Sequence, residues 1–295
     1  RRDFTLNALY ADRNGRIYDP LGGLDDCLAG HVRFIGTAEH RIKEDYLRIL
    51  RFFRIHAAYG QGGLDQEGLH ACIQQRDGLR HLSAERIGME MKKLVATPLA
   101  ADCLALMEDS GLLEITTGGV SRIADFRALR SLDEFAEETR HPPLGFAVLS
   151  GFVDEDVDRI ADRFRLSNTD RKRMHKALAV ARAIEPQNEA FCAQTTLYHH
   201  GRAGAIDGLI WLWAQTRARG GDQAQDAKLA ARLKECREAE IPAFPLKGSD
   251  LLLNGLKPGP QVGEVMAEIE RRWIQSGFIL KRTELLKLAR QFSLD

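Results

Sequence analysis

An apolar stripe early in the chain carries the strongest structural signal of the sequence. Large apolar residues recur there at steps of three and four, the spacing of one helix face; they are Ile42, Tyr46, Ile49, Leu50, Phe53 and Ala57. The pattern predicts that residues 44–54 form one helix. Polar residues follow each other at steps of three along its flank, so neighbours in this row lie close together; they are Asp45, Arg48, Arg51 and Arg54.

Helical period and helix-start signals continue along most of the remaining chain. They predict helices at 64–75, 84–96, 99–110, 154–164, 169–184, 188–199, 203–218, 223–238 and 262–273. Residues 1–11 are also predicted to be helical. Only the region 15–36 alternates like short strands, at 16–18 and 31–35, with a turn at 20–23 between them. The predicted fold class is mainly α, a multi-helix protein with a short β-hairpin-like segment near its N-terminus.

The composition predicts a soluble protein of a reducing compartment. The 295 residues carry 42 Lys plus Arg and 42 Asp plus Glu, so any RNA contact would come from a local basic patch. Five cysteines are scattered without the C-x-x-C spacing of a zinc site, and no apolar run is long enough for a membrane span. We expect a cytoplasmic protein without a membrane partner, and the sequence makes no prediction of its oligomeric state.

Asp45 and Arg48 form a pair that can read the edge of a base. Cytosine and adenine each present an amino donor beside a ring-nitrogen acceptor, so a carboxylate can accept from the amino group while a guanidinium donates to the ring nitrogen. Guanine and uracil present the reverse order. The alternative is an ordinary surface ion pair between residues three apart, which is common and weak.

Five motifs occur in a fixed order around this pair. They read RRDFTLNALY at 1–10, YDPLGGLDD at 18–26, EDYLRILRFFR at 44–54, SAERIGMEMKKL at 83–94 and FPLKGSDLLLNGLKPGPQVGEVM at 244–266. In this order and at these spacings they resemble the tRNA nucleotidyltransferase / poly(A) polymerase family, which includes the bacterial CCA-adding enzymes. The last motif is similar to the C-terminal tail of certain bacterial members.

The resemblance implies four regions. Residues 1–36 would end the nucleotidyltransferase head and form a hinge, 37–115 would be a neck with the base-recognition helices, 116–240 a helical body, and 241–295 a helical tail that binds tRNA. In the family, a catalytic head with an Asp-x-Asp pair for two Mg²⁺ ions precedes the RRDFT motif. The chain starts inside that motif without Met, so we expect that the head is missing and that this span alone is inactive.

By the same resemblance, no catalytic or metal-binding residue lies in this span, and the nucleotide-binding residues are Arg2, Asp3, Asp45, Arg48, Arg51 and Arg54. Arg2 would donate to triphosphate or sugar, while Asp3 would anchor a sugar hydroxyl or hold that arginine. The two arginines after Arg48 would support the phosphates. The RNA-binding candidates are basic residues of two segments, Arg171, Lys172, Arg173, Lys176 and Lys257.

The implied function of the intact protein is the addition of CMP and AMP to RNA 3′ ends, above all CCA addition to tRNA. Mg²⁺ would be the cofactor, CTP and ATP the substrates, and tRNA or another RNA 3′ end the partner. Poly(A), CC-only and A-only addition stay open as alternatives. A non-catalytic helical RNA-binding module without the head is the alternative from another functional class.

Three further features have structural interpretations. Asp156 and Asp158 are predicted to lie in the first turn of a helix, where acidic residues are favourable, rather than in a metal site. Trp211 and Trp213 are predicted to be core residues rather than a platform for RNA bases. Internal ion pairs that brace the base-reading helix are predicted for Glu85, Arg86, Glu90 and Lys93.

Overall fold

The computed structural model describes residues 2–184 and 191–291 and is mainly helical. The α-helices are α1 (Gly23–Ala29), α2 (Ala38–Glu44), α3 (Leu47–Tyr59), α4 (Gln66–Gln74), α5 (Ala84–Val95), α6 (Ala100–Asp109), α7 (Leu112–Thr117), α8 (Ile123–Arg130), α9 (Pro142–Ser150), α10 (Asp154–Arg163), α11 (Asn168–Ala183), α12 (Ala193–Ala218), α13 (Gln223–Glu238), α14 (Gly248–Leu253), α15 (Pro260–Gln275) and α16 (Arg282–Gln291). Short 3₁₀ helices lie at Thr5–Asn7, Arg76–His81 and Glu137–Arg140. Strand β1 (Tyr10–Ala11) pairs antiparallel with β2 (Ile17–Tyr18). The predicted fold class is confirmed. None of the helices in the described ranges is long and apolar enough to cross a membrane.

The prediction of a helix over residues 1–11 is wrong for the residues described. The chain is extended at Phe4, makes one 3₁₀ turn and then forms β1. Phe4 bridges Phe34 as an isolated antiparallel pair, and the two rings lie 6.2 and 5.3 Å from the ring of Phe52 in α3. Packing of these rings outweighs the local helical pattern. The strand predicted at 31–35 is reduced to this bridge.

A helix that the sequence pattern did not reveal follows the predicted turn at 20–23. The carboxylate of Asp19 accepts hydrogen bonds from the backbone amides of Gly23 and Leu24, at 2.8 and 2.9 Å, at the start of α1. A Cβ at Gly23 would lie 2.1 Å from the carbonyl oxygen of Thr5, so this close approach requires glycine. The glycine-rich motif therefore fixes α1 against the first residues of the chain.

The segment predicted as one helix over 44–54 is broken in two. Asp45 follows the end of α2 in an extended conformation, with φ −160° and ψ 105°, and α3 begins at Leu47. One carboxylate oxygen of Asp45 accepts from the amide of Leu47 at 3.1 Å, and its carbonyl accepts from the amide of Arg48 at 3.0 Å. A short polar side chain that bonds to nearby backbone competes with the helical pattern in this way. The prediction is wrong at Asp45, although the three arginines that follow do share α3.

The apolar stripe faces the interior as predicted. Its fully buried members are Ile42, Ile49, Leu50, Phe53 and Ala57. Helix α3 packs against α5 and α6, and one continuous core extends from Phe4 to Cys236. A Cβ at Gly88 of α5 would lie 2.2 Å from the carbonyl oxygen of Phe164, directly after α10. This contact joins the helices around Asp45 to the helices that follow.

Helices α11, α12 and α13 pack together in the second half of this core. Trp211 and Trp213 of α12 are buried, which confirms their interpretation as core residues. Helix α12 is interrupted at Gly201, with φ 70° and ψ 166°, so its two halves correspond to the predicted helices at 188–199 and 203–218. Residues 188–190 of that prediction lie outside the described residues. Pro142 begins α9, because proline is tolerated in a first helical turn.

The last three helices have a small core of their own. Its buried members are Leu246, Leu251, Leu256, Val265, Ile269, Trp273, Leu285 and Ala289. Tyr198 of α12 connects this core to the larger one, because its ring packs edge-on against Trp273 and its hydroxyl donates to Glu270. The region boundaries near residues 36, 115 and 240 stay predictions.

Candidate functional site

Three arginines converge on the buried carboxylate of Asp3. The Nε of Arg48 donates to Oδ1 at 2.8 Å, the Nη1 of Arg51 lies 2.8 Å from Oδ2, and the Nη2 of Arg41 lies 3.9 Å from Oδ1. Asp3 is 3% exposed, so the charge of its carboxylate is compensated by these guanidinium groups. Asp3 therefore holds Arg48 and Arg51, whereas the resemblance implied a sugar hydroxyl or Arg2 as its partner.

Arg2 lies at the rim of this network. It is exposed, and its backbone carbonyl accepts a hydrogen bond from the Nη2 of Arg41 at 2.8 Å. An open pocket beside it is lined by the two arginines and by mainly apolar residues of the hairpin region, Ala8, Tyr10, Pro20, Leu21 and Ile35. The pocket thus combines a positive edge with an apolar wall.

Arg41 and Glu44 also belong to the network, although neither was predicted as a site residue from the sequence. The carboxylate of Glu44 accepts from Arg41 and from Arg48, and chiefly the hydrogen bond from Arg48 holds the pKa of Glu44 below its usual value. Two carboxylates and three guanidinium groups leave one positive charge in the network. The signal in the sequence was the spacing of three and four residues around Glu44, which places both arginines near its carboxylate although Arg48 lies on the next helix, α3.

Asp45 is held by a residue of another helix. Its Oδ2 accepts from the Nη2 of Arg86 in α5 at 2.8 Å, while its Oδ1 accepts from the amide of Leu47. Burial opposes ionisation, but the hydrogen bonds from Arg86 and Leu47 outweigh it, so the pKa of Asp45 lies below its usual value. Asp45 is thus an ionised acceptor, and it forms no ion pair with Arg48.

Arg54 points to a different partner from the other two arginines of α3. Its Nε donates to the carboxylate of Glu90 in α5, and Glu90 is 8% exposed. The predicted bracing role is confirmed for Arg86 and Glu90, since each forms an ion pair with the segment that carries Asp45 and Arg48. Glu85 instead lies 3.2 Å from Arg165, with both side chains exposed.

The predicted RNA-binding run at 171–176 contains arginines that pair with carboxylates of the protein itself and lysines that are exposed. Arg173 binds the carboxylate of Asp207 through two hydrogen bonds, at 2.5 and 2.8 Å. Arg171 pairs with Asp158 and with a second aspartate of α10. In contrast, Lys172, Lys176 and Lys257 are exposed and form no ion pair with any residue in 2–184 or 191–291.

The acidic residues at the start of α10 are held by the protein's own donors. The Oδ2 of Asp156 accepts from the amides of Phe152 and Val153 at 3.1 and 3.2 Å, and its Oδ1 accepts from Arg159. Asp158 pairs with Arg171 and with a histidine ring. The interpretation as a first-turn residue is confirmed for Asp156 but is wrong for Asp158, which is the fifth residue of α10 and lies in its second turn. In the part of the chain that the structure describes, no group of three metal-ligating side chains is assembled.

Comparisons with known sequences agree with the motif pattern. Residues 63–117 match a domain family described as "Probable RNA and SrmB- binding site of polymerase A". The mitochondrial CCA tRNA nucleotidyltransferase 1 of Danio rerio is 27% identical over 296 residues, which cover 99% of this chain and 66% of that protein. The CCA-adding enzyme of Geobacillus stearothermophilus is 41% identical over 112 residues, which cover 38% of this chain and 28% of that enzyme. The chain spans just under two thirds of the length of its mitochondrial relatives, 64–66%.

Solved structures share the fold over nearly the whole chain. The CCA-adding enzyme of Bacillus stearothermophilus in complex with CTP superimposes with a TM-score of 0.70 at 23% identity, over 98% of this chain and 72% of that chain. The CCA-adding enzyme of Thermotoga maritima complexed with tRNA gives a TM-score of 0.64 at 17% identity, over 100% of this chain and 72% of that chain. At these identities the likeness shows a common fold. Together with the ordered motifs and the sequence relatives over the same span, it makes this chain similar in sequence and in fold to members of the tRNA nucleotidyltransferase / poly(A) polymerase family.

Proposed function

We propose that the protein encoded by the complete gene adds CMP and AMP to the 3′ ends of tRNA, and that the present residues choose the incoming nucleotide. The observation that carries this proposal is the arrangement of Asp45 and Arg48. Each is anchored by another residue, and each keeps hydrogen-bonding capacity for a base. The relatives that bear CCA-adding names support the choice of reaction.

The hydrogen-bonding groups of Asp45 and Arg48 that remain available to a ligand match the edge of cytosine or adenine. Each carboxylate oxygen of Asp45 uses one bond to protein, so a lone pair on each can accept from an amino group. Arg48 donates through Nε and Nη1, while its Nη2 forms no hydrogen bond within the described ranges. That Nη2 can donate to a ring nitrogen. Uracil and guanine would direct a carbonyl at the carboxylate and an N–H at the guanidinium.

The positive network around Asp3 is proposed to attract the triphosphate. Its one excess charge, together with Arg2 at the rim of the open pocket, favours anionic oxygens at this edge of the molecule. Arg51 is 35% exposed and is the arginine of α3 best placed to serve both Asp3 and a phosphate. Arg54, bound to Glu90, is proposed to brace the helix instead.

The Asp-x-Asp pair formed by Asp156 and Asp158 does not fit the Mg²⁺ ions that the resemblance implies. Asp156 and Asp158 already accept from backbone amides, arginines and a histidine, so they do not form an open set of oxygen ligands. We therefore propose that residues 1–295 alone bind nucleotide without extending RNA. Activity of this span by itself would contradict that statement.

The RNA end is proposed to be held by phosphate contacts rather than by base reading. Lys172 and Lys176 on α11 and Lys257 before α15 supply exposed positive charges on the body and tail. Affinity for tRNA should then fall steeply as salt is added, and alanine at any of these lysines should weaken several tRNAs by similar factors. A loss confined to one tRNA species would contradict phosphate recognition.

The test uses the complete gene product and a tRNA that lacks its terminal CCA. Wild type should incorporate CMP and AMP and reject UMP and GMP. Asp45→Ala should lose discrimination by about 1.5–3 kcal/mol, the value of a hydrogen bond to a charged group. Asp77→Ala is the matched control, because that neck carboxylate is 81% exposed and pairs only at 3.5 Å. Unchanged selectivity in Asp45→Ala would refute the proposed role.

The same assay separates the alternatives. Long A tracts on many RNAs, without incorporation of CMP, would favour poly(A) addition, in line with the polymerase described by the matched domain family. Incorporation of CMP alone or of AMP alone would favour partial CCA addition. Binding of RNA without any incorporation would favour the non-catalytic module.

A further inference from the structure

Asp45 occupies an unusual place for a residue that must present its side chain in one orientation. It lies in the break between α2 and α3, in an extended conformation, and not on the helix that carries Arg48. A side chain at such a position is not fixed by neighbouring turns of a helix. Something else must hold the carboxylate if it is to distinguish one base edge from another.

Arg86 supplies the contact that meets this need. Its Nη2 donates to Oδ2 of Asp45 at 2.8 Å, across 41 positions of sequence. Arg86 lies in the first turn of α5, where its own amide bonds to the N-cap residue Ser83. Helix α5 packs against α3, so the guanidinium that reaches Asp45 is anchored to the same core as Arg48. The second oxygen of Asp45 is fixed by the Leu47 amide.

The pair lies where a ligand can reach it. The side chain of Arg86 is 43% exposed and that of Asp45 is 31% exposed, so the ion pair is at the surface rather than inside the core. An ion pair this exposed adds little to the stability of the fold. A large effect of Arg86 on selectivity would therefore come from orientation of the carboxylate and not from folding.

We propose that Arg86 is a positioning residue for base selection, which holds the Asp45 carboxylate in the orientation that accepts the amino group of CTP or ATP. This inference rests on the proposed function of the Asp45 and Arg48 pair. Without Arg86, the carboxylate can rotate about its side-chain bonds and approach Arg48. An ion pair between the two would take up the acceptor and the donor that a base edge needs.

The lowered pKa of Asp45 is consistent with this role. Arg86 favours the ionised form, and an ionised carboxylate accepts hydrogen bonds but donates none. It therefore repels the carbonyl oxygen that uracil or guanine would present at the same place.

The experiment compares wild type with Arg86→Gln and Arg86→Lys in the complete gene product. Dissociation constants for CTP, ATP, UTP and GTP are measured directly, beside the rates of incorporation into tRNA lacking CCA. Arg86→Gln should reduce the preference for CTP over UTP by about tenfold, the effect of one charge-assisted hydrogen bond. Arg86→Lys, which keeps a charged donor, should restore part of it.

Two further variants separate positioning from structural support. In an Asp45→Ala background, Arg86→Gln should change selectivity no further, because Arg86 acts through that carboxylate. Arg165→Gln is the matched control. Arg165 forms an ion pair with Glu85, which lies in the same first turn of α5 as Arg86, and the two side chains are 62% and 61% exposed. Its selectivity should equal that of wild type.

The outcomes distinguish the positioning role of Arg86 from the proposed function of Asp45 and Arg48. Equal weakening of all four nucleotides in Arg86→Gln, or an additive effect with Asp45→Ala, would overturn the positioning role while leaving the proposed function intact. Equal affinity of wild type for all four nucleotides would overturn both. A selective loss that Lys rescues and that disappears with Asp45 supports the inference.

Discussion

Substitution of Arg173 tests whether this residue of the basic run stabilises the fold or binds RNA. The run 171–176 predicts a phosphate-binding face, yet Arg173 binds Asp207, whose side chain is buried, through two hydrogen bonds at 2.5 and 2.8 Å. Arg173→Ala should therefore lower the free energy of unfolding. Lys172→Ala, one position away on the exposed face of α11, should act on RNA affinity.

The magnitude follows from the burial of Asp207, which is 1% exposed. Removal of Arg173 leaves a buried carboxylate without its cation, and breaking a buried pair in this way costs about 3–5 kcal/mol. The double variant Arg173→Ala, Asp207→Ala removes both charges and should recover a large part of that loss. Lys172→Ala should change the free energy of unfolding by less than about 0.5 kcal/mol, as exposed substitutions do.

The pH dependence of the defect has a definite sign. Burial raises the pKa of Asp207 above its usual value, and Arg173 opposes this rise. In Arg173→Ala the largest opposing influence is gone and only the weaker attraction of His141 still opposes burial, so the pKa of Asp207 should rise further. A carboxyl group whose pKa is raised in the folded state stabilises that state fully when the pH is below its pKa in the unfolded chain. This contribution to stability is lost as the pH increases through its pKa in the folded state. The defect of the variant should thus be larger at about pH 8 than at about pH 5.

Urea unfolding followed by circular dichroism at both pH values measures these quantities, and filter binding measures affinity for tRNA. A defect below about 1 kcal/mol, with a selective loss of tRNA affinity, would refute the argument and return Arg173 to the RNA-binding residues. A defect that the second substitution does not relieve would show that Arg173 contributes through packing instead.

Two other variants test separate contacts. His175 lies between two carboxylates of α10, at 2.7 and 2.9 Å; burial lowers its pKa, but hydrogen bonds to those carboxylates outweigh this and the pKa is raised. His175→Gln should therefore be less stable than wild type at about pH 6, and this difference should vanish as pH rises through the folded pKa; a difference independent of pH in urea titrations would contradict it. Gly88→Ala places a Cβ 2.2 Å from the carbonyl oxygen of Phe164 and should destabilise by about 1–3 kcal/mol in thermal unfolding, against Met89→Ala as an exposed control. Equal melting temperatures of the two variants would mean that the close approach carries no strain.

The helices of this protein were predictable where apolar spacing decides the structure. The helix predicted at 223–238 has the bounds found for α13, and its start is fixed by a capping box in which Asp222 and Gln225 bond to each other's backbone amides. Ser83 likewise accepts from the amide of Arg86 and caps α5, which begins at Ala84 as predicted. Such signals are local, so a single sequence contains them.

The errors arise where distant contacts decide the structure. Nothing near Phe4 in the sequence shows that its ring will meet Phe34, 4.9 Å away, and hold the first residues extended. The partner of Asp45 is 41 positions away, and that of Arg173 is 34 positions away. The residue types of the candidate site were readable from the sequence, but their pairing was not, because pairing follows from the packing of α3, α5, α11 and α12.

The break at Asp45 is the error with the greatest consequence for function. On one unbroken helix, Asp45 and Arg48 would be neighbours three residues apart, and the simplest use of their charges would be to pair with each other. The observed break turns Asp45 toward Arg86 and leaves Arg48 to Asp3, so the two side chains are held apart by separate partners. Asp45 then keeps the ability to accept a further hydrogen bond, and Arg48 keeps the ability to donate one. The proposed base reading needs this separation, since an ion pair between Asp45 and Arg48 themselves would take up the acceptor and the donor that are to face a base. The local departure from helix is therefore the feature on which the proposed choice of nucleotide depends.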